Sequence, residues 1–394
     1  MSVSLLPGII SAAIYGTGAL LAALAPGLGL LTIGYSLFEG VGSALMIPPM
    51  YILITVVFDD LKTRAKWFGV VSGAAGLGSA TGPLIGGLIT SYVSWRASFL
   101  LQVVVVAGIA ILARRITDPP LPAGPRPAFD VPGAILSAAG LFFVVFGILQ
   151  TSTYGWGAAR VWLFVALGVV ILVAFFLYAR ARERGGRTPL VSPSLFRNRT
   201  SNLGLVTQNV QWLVLQGVFF VISVFLQQER GYSAVQTGLM LVPATIGILL
   251  SSGMAQRMAS RHPQRLLVRA GFTVTVVGIA LLLVLARADS ANWTFFPGLF
   301  LMGFGVGAML TASVNVVQSA WPDEVQGDIS GVSRSVSNLG SSLGVAIAGS
   351  VLVAATAAGN APFLTAIVVV GAFAIVGWVA ALLLPRAPEG AQPA

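Results

Sequence analysis

Long apolar runs, each ended by a short polar connection, recur along the whole chain. A transmembrane helix needs about 20 mostly apolar residues, and twelve segments of the sequence meet this requirement. The segments cover residues 8–27, 30–57, 67–92, 97–115, 131–151, 161–180, 202–227, 234–255, 266–286, 293–316, 330–357 and 362–385. The pattern therefore predicts an all-α, polytopic membrane protein with twelve transmembrane helices.

The amino-acid composition supports a membrane protein and excludes a soluble one. Hydrophobic residues make up 56% of the 394 residues and charged residues only 9%, whereas a typical soluble domain is about 25% charged. The chain contains no cysteine, so disulfides and thiolate metal sites are excluded.

The basic residues predict the orientation of the twelve helices. If the N-terminus is cytoplasmic, 18 of the 22 lysines and arginines fall in inside loops. This distribution follows the positive-inside bias of short loops. It predicts a multi-pass protein of the cell (inner) membrane with both termini in the cytoplasm. The net charge of +10 is thus explained by topology, and no nucleic-acid partner is expected.

Two long inside connections divide the chain into three parts. Both connections, at 114–130 and 180–201, are rich in proline, glycine and arginine. We predict an incomplete four-helix N-terminal bundle (1–116), an inserted two-helix hairpin with its linkers (117–201) and a six-helix C-terminal bundle (202–394). A weak repeat, "GVGSALM" at 40–46 and "GVGAML" at 305–310, suggests that the two bundles are pseudo-repeat halves joined by the extra helix pair.

One predicted helix contains an unusual number of glycines, in "GVVSGAAGLGSATGPLIGG" at 69–87. Small residues let membrane helices approach closely, so a packing seam with a bend at the proline is the simplest interpretation. The spacing also resembles the antiporter motif of the major facilitator superfamily, found in drug:proton antiporters. The motif positions are Gly69, Gly78, Gly82, Pro83, Gly86 and Gly87.

Further segments resemble the fourteen-helix, multidrug-efflux branch of that family. They include "SWRASFLLQ" (94–102), "FDVPGAILSAAGLFFVVFGI" (129–148), "SPSLFRNRT" (192–200), "LQQERGYSAVQTGLMLVP" (226–243) and "GVSRSVSNLGSSLGVAIAGS" (331–350). The resemblance covers about residues 8–385 and implies a major-facilitator-type helix bundle that exports drugs in exchange for protons.

Three departures from the family pattern bear on proton coupling. The chain begins where the third helix of the family begins, so the first two helices are expected to be lacking. Ser36 stands where the family usually carries an arginine, and Ser260 stands where an aspartate is common.

Glu39 is the acidic residue that lies deepest inside a predicted transmembrane segment. A carboxylate at membrane depth is disfavoured by several kcal/mol and usually faces a cavity or a partner. A desolvated carboxyl can bind and release a proton near neutral pH, which makes Glu39 a proton-coupling candidate. A neutral, hydrogen-bonded carboxyl packed between helices is the alternative interpretation.

Amide side chains recur at helical spacing in the C-terminal bundle. Amides at membrane depth either clamp neighbouring helices or line a polar cavity, and the sequence leaves both roles open. Beside an aromatic wall, such a cavity suits an amphipathic or cationic solute. The cavity-lining candidates are Gln208, Asn209, Gln211, Trp212, Gln216, Asn315, Gln318 and Asn338.

Enzymatic chemistry is not indicated. His262 is the only histidine, and the sequence has no nucleotide-binding loop and no nucleophile elbow, so we expect no metal and no cofactor. The predicted function is a secondary transporter that exports small amphipathic or cationic organic solutes. Its expected partners are the solute, protons and the lipid bilayer, and it is expected to be a monomer. A truncated, non-transporting membrane protein or assembly partner is the alternative, and a membrane-embedded enzyme is disfavoured.

Overall fold

The regular elements of the described residues are all helices. The computed structural model describes residues 5–58, 85–115, 130–259, 262–287, 289–321, 325–354 and 361–385, with single positions between 59 and 84. The long helices are α1 (Leu5–Ala23), α2 (Gly40–Val57), α3 (Trp95–Ala113), α4 (Val131–Leu149), α5 (Ala159–Arg184), α6 (Arg199–Gln228), α7 (Ala234–Ala259), α8 (Gln264–Leu285), α9 (Phe295–Gln318), α10 (Gln326–Ala354) and α11 (Ala361–Leu382).

The helices agree with the apolar segments of the sequence. Within the described residues, ten helical stretches are long and apolar enough to cross a membrane, and the shorter apolar stretch Gly8–Ala23 lies in α1. Eleven of the twelve predicted segments coincide with these helices. The twelfth, 67–92, lies largely outside the described residues, although 85–92 is helical. The prediction of an all-α, polytopic membrane protein is confirmed.

The chain divides into two compact units. The first contains residues 1–125 and 233–239, and the second contains residues 126–232 and 240–394. The hairpin formed by α4 and α5 belongs to the second unit, where α4 contacts α10. The three-part division drawn from the sequence stays a prediction.

In the first unit, α1 packs closely against the segment that leads into α2. This segment consists of a short α-helix, Leu28–Leu31, and a π-helical stretch, Thr32–Glu39. A Cβ added at Gly18 would lie 2.6 Å from the carbonyl oxygen of Gly34, and one added at Gly42 would lie 2.6 Å from the amide nitrogen of Tyr15. Backbones approach this closely only where no side chain intervenes.

In the second unit, α6 packs against both α9 and α10. Gly340 and Gly344 of α10 lie directly on the carbonyl oxygens of Asn209 and Leu213, so a Cβ at either glycine would clash with backbone. Helices α8 and α9 approach in the same way, because a Cβ at Gly305 would lie 2.6 Å from the amide nitrogen of Thr275. Large apolar side chains fill the space between these helices; the fully buried ones include Phe272, Phe295, Leu299, Met302 and Met309.

Candidate functional site

Glu39 ends the π-helical stretch and lies inside the first unit. Its side chain is only 4% exposed. A π-helix widens the turn and changes the direction in which the following side chains point, and such segments are frequent at functional sites. The local backbone therefore brings a carboxyl into the interior of a helix bundle, where charge is disfavoured.

The carboxyl of Glu39 interacts with one polar side chain, which is in turn hydrogen-bonded to a second. It interacts with the hydroxyl of Tyr15 in α1, and that hydroxyl donates to the Oε1 atom of Gln102 in α3 at 2.6 Å. Among the described residues, Oε1 of Glu39 has no hydrogen-bond partner. A phenol carries a single proton, so Tyr15 donates to one neighbour at a time. A neutral Glu39 can donate to Tyr15 while Tyr15 donates to Gln102.

The π-helical stretch that ends at Glu39 also contacts α3 through an aromatic pair. The ring of Tyr35 packs edge-on against Phe99 with 5.6 Å between centroids. Ser36 precedes Glu39 by three residues and is exposed, and the stretch Thr32–Glu39 contains no basic residue. Arg96, at the start of α3, donates to the carbonyl oxygen of Ala25 at 3.0 Å.

The antiporter motif is only partly within the described residues. Gly69 and Pro83 lie outside them. Gly78, Gly82 and Gly86 are described, and an added Cβ would meet no heavy atom within 4 Å at any of the three. The described close contact falls at the last motif position instead, where a Cβ on Gly87 would lie 2.6 Å from the carbonyl oxygen of Ala234. Most positions between 59 and 84 lie outside the described residues, so the seam expected on the face of Gly78, Gly82 and Gly86 stays a prediction.

Two buried amide candidates accept hydrogen bonds from serines of neighbouring helices in the second unit. Gln208 and Gln211 of α6 are 3% and 0% exposed. Ser333 of α10 donates to Oε1 of Gln208 at 2.8 Å, and Ser313 of α9 donates to Oε1 of Gln211 at 3.0 Å. Both amides therefore form hydrogen bonds between helices in this conformation, and their cavity-lining role stays a prediction.

The other candidates are less buried. Asn209 donates to the carbonyl oxygen of Val336 at 2.8 Å, and Gln318 donates to Ser330 at 3.3 Å. Trp212 packs against the apolar core of this unit. Of the remaining three candidates, Gln216 and Asn315 are partly buried and Asn338 is exposed. A cavity-lining role for these residues stays a prediction.

Several polar partners were not identified from the sequence. Tyr15 and Gln102 were missed in the first unit, and Ser313 and Ser333 were missed in the second. Each is a polar residue inside an apolar helix, which is the signal that could have drawn attention to them. The described residues contain no group of three or more His, Cys, Asp or Glu side chains that could hold a metal. His262 lies exposed between α7 and α8.

These features define a class of protein: a helical, multi-spanning membrane protein with close glycine contacts and a buried carboxyl among polar neighbours. The chain belongs to the Major Facilitator Superfamily, whose family model matches residues 7–345. The family expected from the antiporter motif is confirmed.

Relatives of this chain are resistance and export proteins. It is 30% identical to the puromycin resistance protein pur8 of Streptomyces alboniger, 27% identical to the multidrug resistance protein Stp of Mycobacterium tuberculosis, and 29% identical to the tetracenomycin C resistance and export protein of Streptomyces glaucescens. The matches cover 87%, 88% and 80% of this chain. The chain spans 68%, 63% and 57% of the lengths of these three relatives.

Solved structures share the fold. A POT family transporter crystallised with a thioalcohol-conjugated peptide matches with a TM-score of 0.67 and 15% identity, over 97% of this chain and 82% of that one. An auto-inhibited POT family peptide transporter matches with a TM-score of 0.60 and 17% identity, over 98% and 84% of the two chains. At these identities the likeness concerns the fold alone.

Proposed function

We propose that this chain is a secondary transporter, and not an enzyme, that exports small amphipathic or cationic organic solutes in exchange for protons. The observation that carries the proposal is the buried carboxyl of Glu39, which interacts with Tyr15 and keeps one oxygen without a partner in the described structure. Relatives named for drug and antibiotic resistance support export of organic solutes.

Glu39 is proposed to bind the exchanged proton. The neutral carboxyl suits the closed, apolar surroundings, because an ionised carboxylate at this depth is strongly disfavoured. When the site opens to water and a cationic solute approaches, the positive charge stabilises the ionised carboxylate and the proton leaves. Rebinding of a proton then favours release of the solute. The proton and the cationic solute thus compete for the single negative charge of Glu39. Such competition is what couples the movement of one to the movement of the other.

Tyr15 and Gln102 are proposed to hold the carboxyl in place through the cycle. The hydroxyl of Tyr15 can accept from the neutral carboxyl and donate to the ionised one. Gln102 accepts from Tyr15, and this bond is proposed to keep the phenol oriented while Glu39 is neutral. In the same proposal the chain works as a monomer, and both termini lie in the cytoplasm.

The first test replaces Glu39 by glutamine, which keeps the shape of the side chain but cannot ionise. Efflux of the cationic dye ethidium is measured from vesicles with an imposed pH gradient. We expect Glu39→Gln to abolish proton-driven efflux, while downhill exchange of the dye remains partly intact. Glu229→Gln is the matched control, because it makes the same chemical change at an exposed residue and should leave efflux unchanged.

Two results would contradict the proposal. If Glu39→Gln drives ethidium efflux as fast as the parent, Glu39 has only a structural role. If the parent chain, correctly inserted, produces no pH-dependent efflux of ethidium or of puromycin, the non-transporting alternative is favoured.

A further inference from the structure

A cluster of exposed arginines surrounds the end of α5 and the linker that follows. Among the described residues, none of the five forms an ion pair. They comprise two residues of the last turns of α5, two residues of the linker and the first residue of α6: Arg180, Arg184, Arg187, Arg197 and Arg199. We refer to these five residues as the arginine cluster.

The nearby acidic residues do not neutralise this cluster. Asp130 is 3% exposed and pairs with a different arginine, Arg182, whose Nε lies 3.8 Å from its Oδ2. Glu183 accepts a hydrogen bond from the hydroxyl of Ser192. Arg182 offsets the charge of Asp130, whereas a bond from a serine hydroxyl leaves the charge of Glu183 unchanged. One carboxylate therefore lies among five arginines, and the surface has an excess of positive charge.

Asp130 also fixes the linker in place. It caps α4 by accepting from the amide of Gly133 at 3.1 Å, and it accepts from the hydroxyl of Tyr178 at 2.9 Å. The amide of Leu190 in the linker donates to it at 2.9 Å. Burial opposes ionisation of this carboxyl, but the three hydrogen bonds and the charge of Arg182 outweigh it, and the pKa of Asp130 is lowered below its ordinary value.

The second half of the linker is anchored by an apolar side chain. Leu195 lies in the short 3-10 helix Pro193–Arg197 and is 1% exposed, packed with Leu205 and Val317. Asn198 donates to the carbonyl oxygen of Ala320 at 3.1 Å. The linker is thus a folded element of the second unit, and the positions of its arginines are set by that fold.

Exposed apolar side chains adjoin the arginine cluster. The rings of Phe176 and Phe196 lie 6.3 Å apart, and both residues are 40% exposed. Val173 and Leu177 of α5 are 53% and 60% exposed. Because α5 is long and apolar enough to cross a membrane, we infer that this surface faces lipid chains and that the arginines lie at the level of the headgroups.

We propose that the arginine cluster and the Phe176–Phe196 pair form a binding site for an anionic phospholipid. The arginines bind the headgroup phosphate, because a planar guanidinium group can donate two parallel hydrogen bonds to phosphate oxygens. The aromatic pair and the adjoining face of α5 contact the acyl chains. Basic clusters immediately beside a transmembrane helix attract anionic lipids, and the exposed apolar surface favours a lipid over a free anion. This site does not depend on the transport proposal.

The test measures binding of dioleoyl phosphatidylglycerol to the detergent-purified chain by native mass spectrometry. Dioleoyl phosphatidylcholine, with the same acyl chains, is the lipid control. We expect the chain to bind phosphatidylglycerol in preference to phosphatidylcholine. The double variant Arg180→Gln/Arg197→Gln should weaken the binding of phosphatidylglycerol about 25-fold, because each arginine contributes a factor of about five. Arg114→Gln/Arg115→Gln removes the same charge at the exposed end of α3 and should have no effect on this binding.

The variant Asp130→Asn distinguishes a specific lipid site, which depends on the folded linker, from unspecific electrostatic attraction. It raises the net charge of the chain by one, so unspecific attraction would strengthen binding of phosphatidylglycerol. The proposed site predicts weaker binding, because the linker loses the carboxylate that holds Leu190 and Arg182. A circular dichroism spectrum equal to that of the parent shows that the helices are retained.

Other outcomes would overturn the proposal. Equal binding of the two lipids would exclude an anionic headgroup site. Equal losses in the Arg180/Arg197 and Arg114/Arg115 double variants would show that only total charge matters. If millimolar inorganic phosphate displaces the lipid completely, the site binds a free anion and the apolar surface has no role.

Discussion

At the scale of single residues, the buried polar side chains fall into two groups. Gln208 and Gln211 are hydrogen-bonded to serines of neighbouring helices, and these bonds hold helices together. Glu39 keeps an oxygen without a partner in the described structure. An unsatisfied buried polar group is disfavoured by about 1–3 kcal/mol. Nε2 of Gln211 shares this feature, but of these three residues only Glu39 can ionise, which makes it the candidate for function.

The Gln211–Ser313 pair provides a test of the clamp role. Ser313→Ala removes the donor to Oε1 of Gln211, whose Nε2 also lacks a partner in the described structure. We expect the free energy of unfolding to fall by about 1 kcal/mol. Adding Gln211→Leu should recover most of this loss, since no buried amide then remains. Equilibrium unfolding in mixed micelles measures both effects.

The matched control for this pair is Ser342→Ala. Ser342 lies on α10 and is exposed, so its loss should leave stability unchanged. Strictly additive losses for Ser313→Ala and Gln211→Leu would show that the two side chains do not interact and that neither serves as a clamp.

At the scale of helices, close packing depends on which glycines face another backbone. Gly18, Gly34 and Gly42 lie at such contacts, whereas a Cβ added at Gly29 or Gly40 would meet no heavy atom within 4 Å among the described residues. The glycine spacing in the sequence therefore identifies helices able to pack closely. It does not identify the positions at which they do so.

Two glycines of α1 allow a direct comparison. A Cβ at Gly18 would lie 2.6–2.7 Å from backbone atoms of Gly34 and Glu39, while a Cβ at Gly16 would make an ordinary contact with Val106 at 3.7 Å. We expect Gly18→Ala to destabilise the fold by about 1–3 kcal/mol, because the backbones must separate. Gly16→Ala should be neutral, or stabilising by up to about 1 kcal/mol, because alanine favours the helix.

Thermal unfolding in detergent, followed by circular dichroism, measures this difference. Because Gly18 adjoins Glu39, Gly18→Ala should also slow ethidium efflux, whereas Gly16→Ala should not. Equal unfolding temperatures for the two variants would mean that α1 does not pack tightly on the π-helical stretch.

At the scale of the whole molecule, the distribution of arginines predicts which loops face the cytoplasm. The chain has no cysteine, so single introduced cysteines report accessibility without background. Thr188 and Asp289 are suitable positions because both are exposed. The nearby serines are less suitable, since Ser192 and Ser290 are engaged in hydrogen bonds.

We expect Thr188→Cys to react with a membrane-impermeant maleimide only from the cytoplasmic side, and Asp289→Cys only from the outside. An odd number of helices separates the two loops in the twelve-helix arrangement, so they must lie on opposite sides of the membrane. Labelling of both cysteines from the same side would refute this arrangement. Labelling of neither in intact cells, but of both after solubilisation, would indicate an incorrectly inserted chain.

The sequence alone determined the class of protein, the helices and the family. These properties depend on residues that are close together in the sequence. About 20 apolar residues in succession indicate a membrane span, and the spacing of the motif glycines indicates the family. Glu39 could be recognised for the same reason, since an acid within an apolar run is visible without knowledge of its neighbours. The sequence could not choose between the clamp and cavity roles of Gln208 and Gln211.

Only the tertiary structure decided which side chains meet. Tyr15 and Gln102 are 87 residues apart, Gln211 and Ser313 are 102 apart, and Asp130 and Leu190 are 60 apart. No local pattern specifies such pairs. Membrane helices associate through side-chain packing and hydrogen bonds, and a uniformly apolar sequence does not indicate which face of a helix contacts which neighbour. The partners of the buried carboxyl, the helix clamps and the fixed linker beside the arginine cluster all follow from that association.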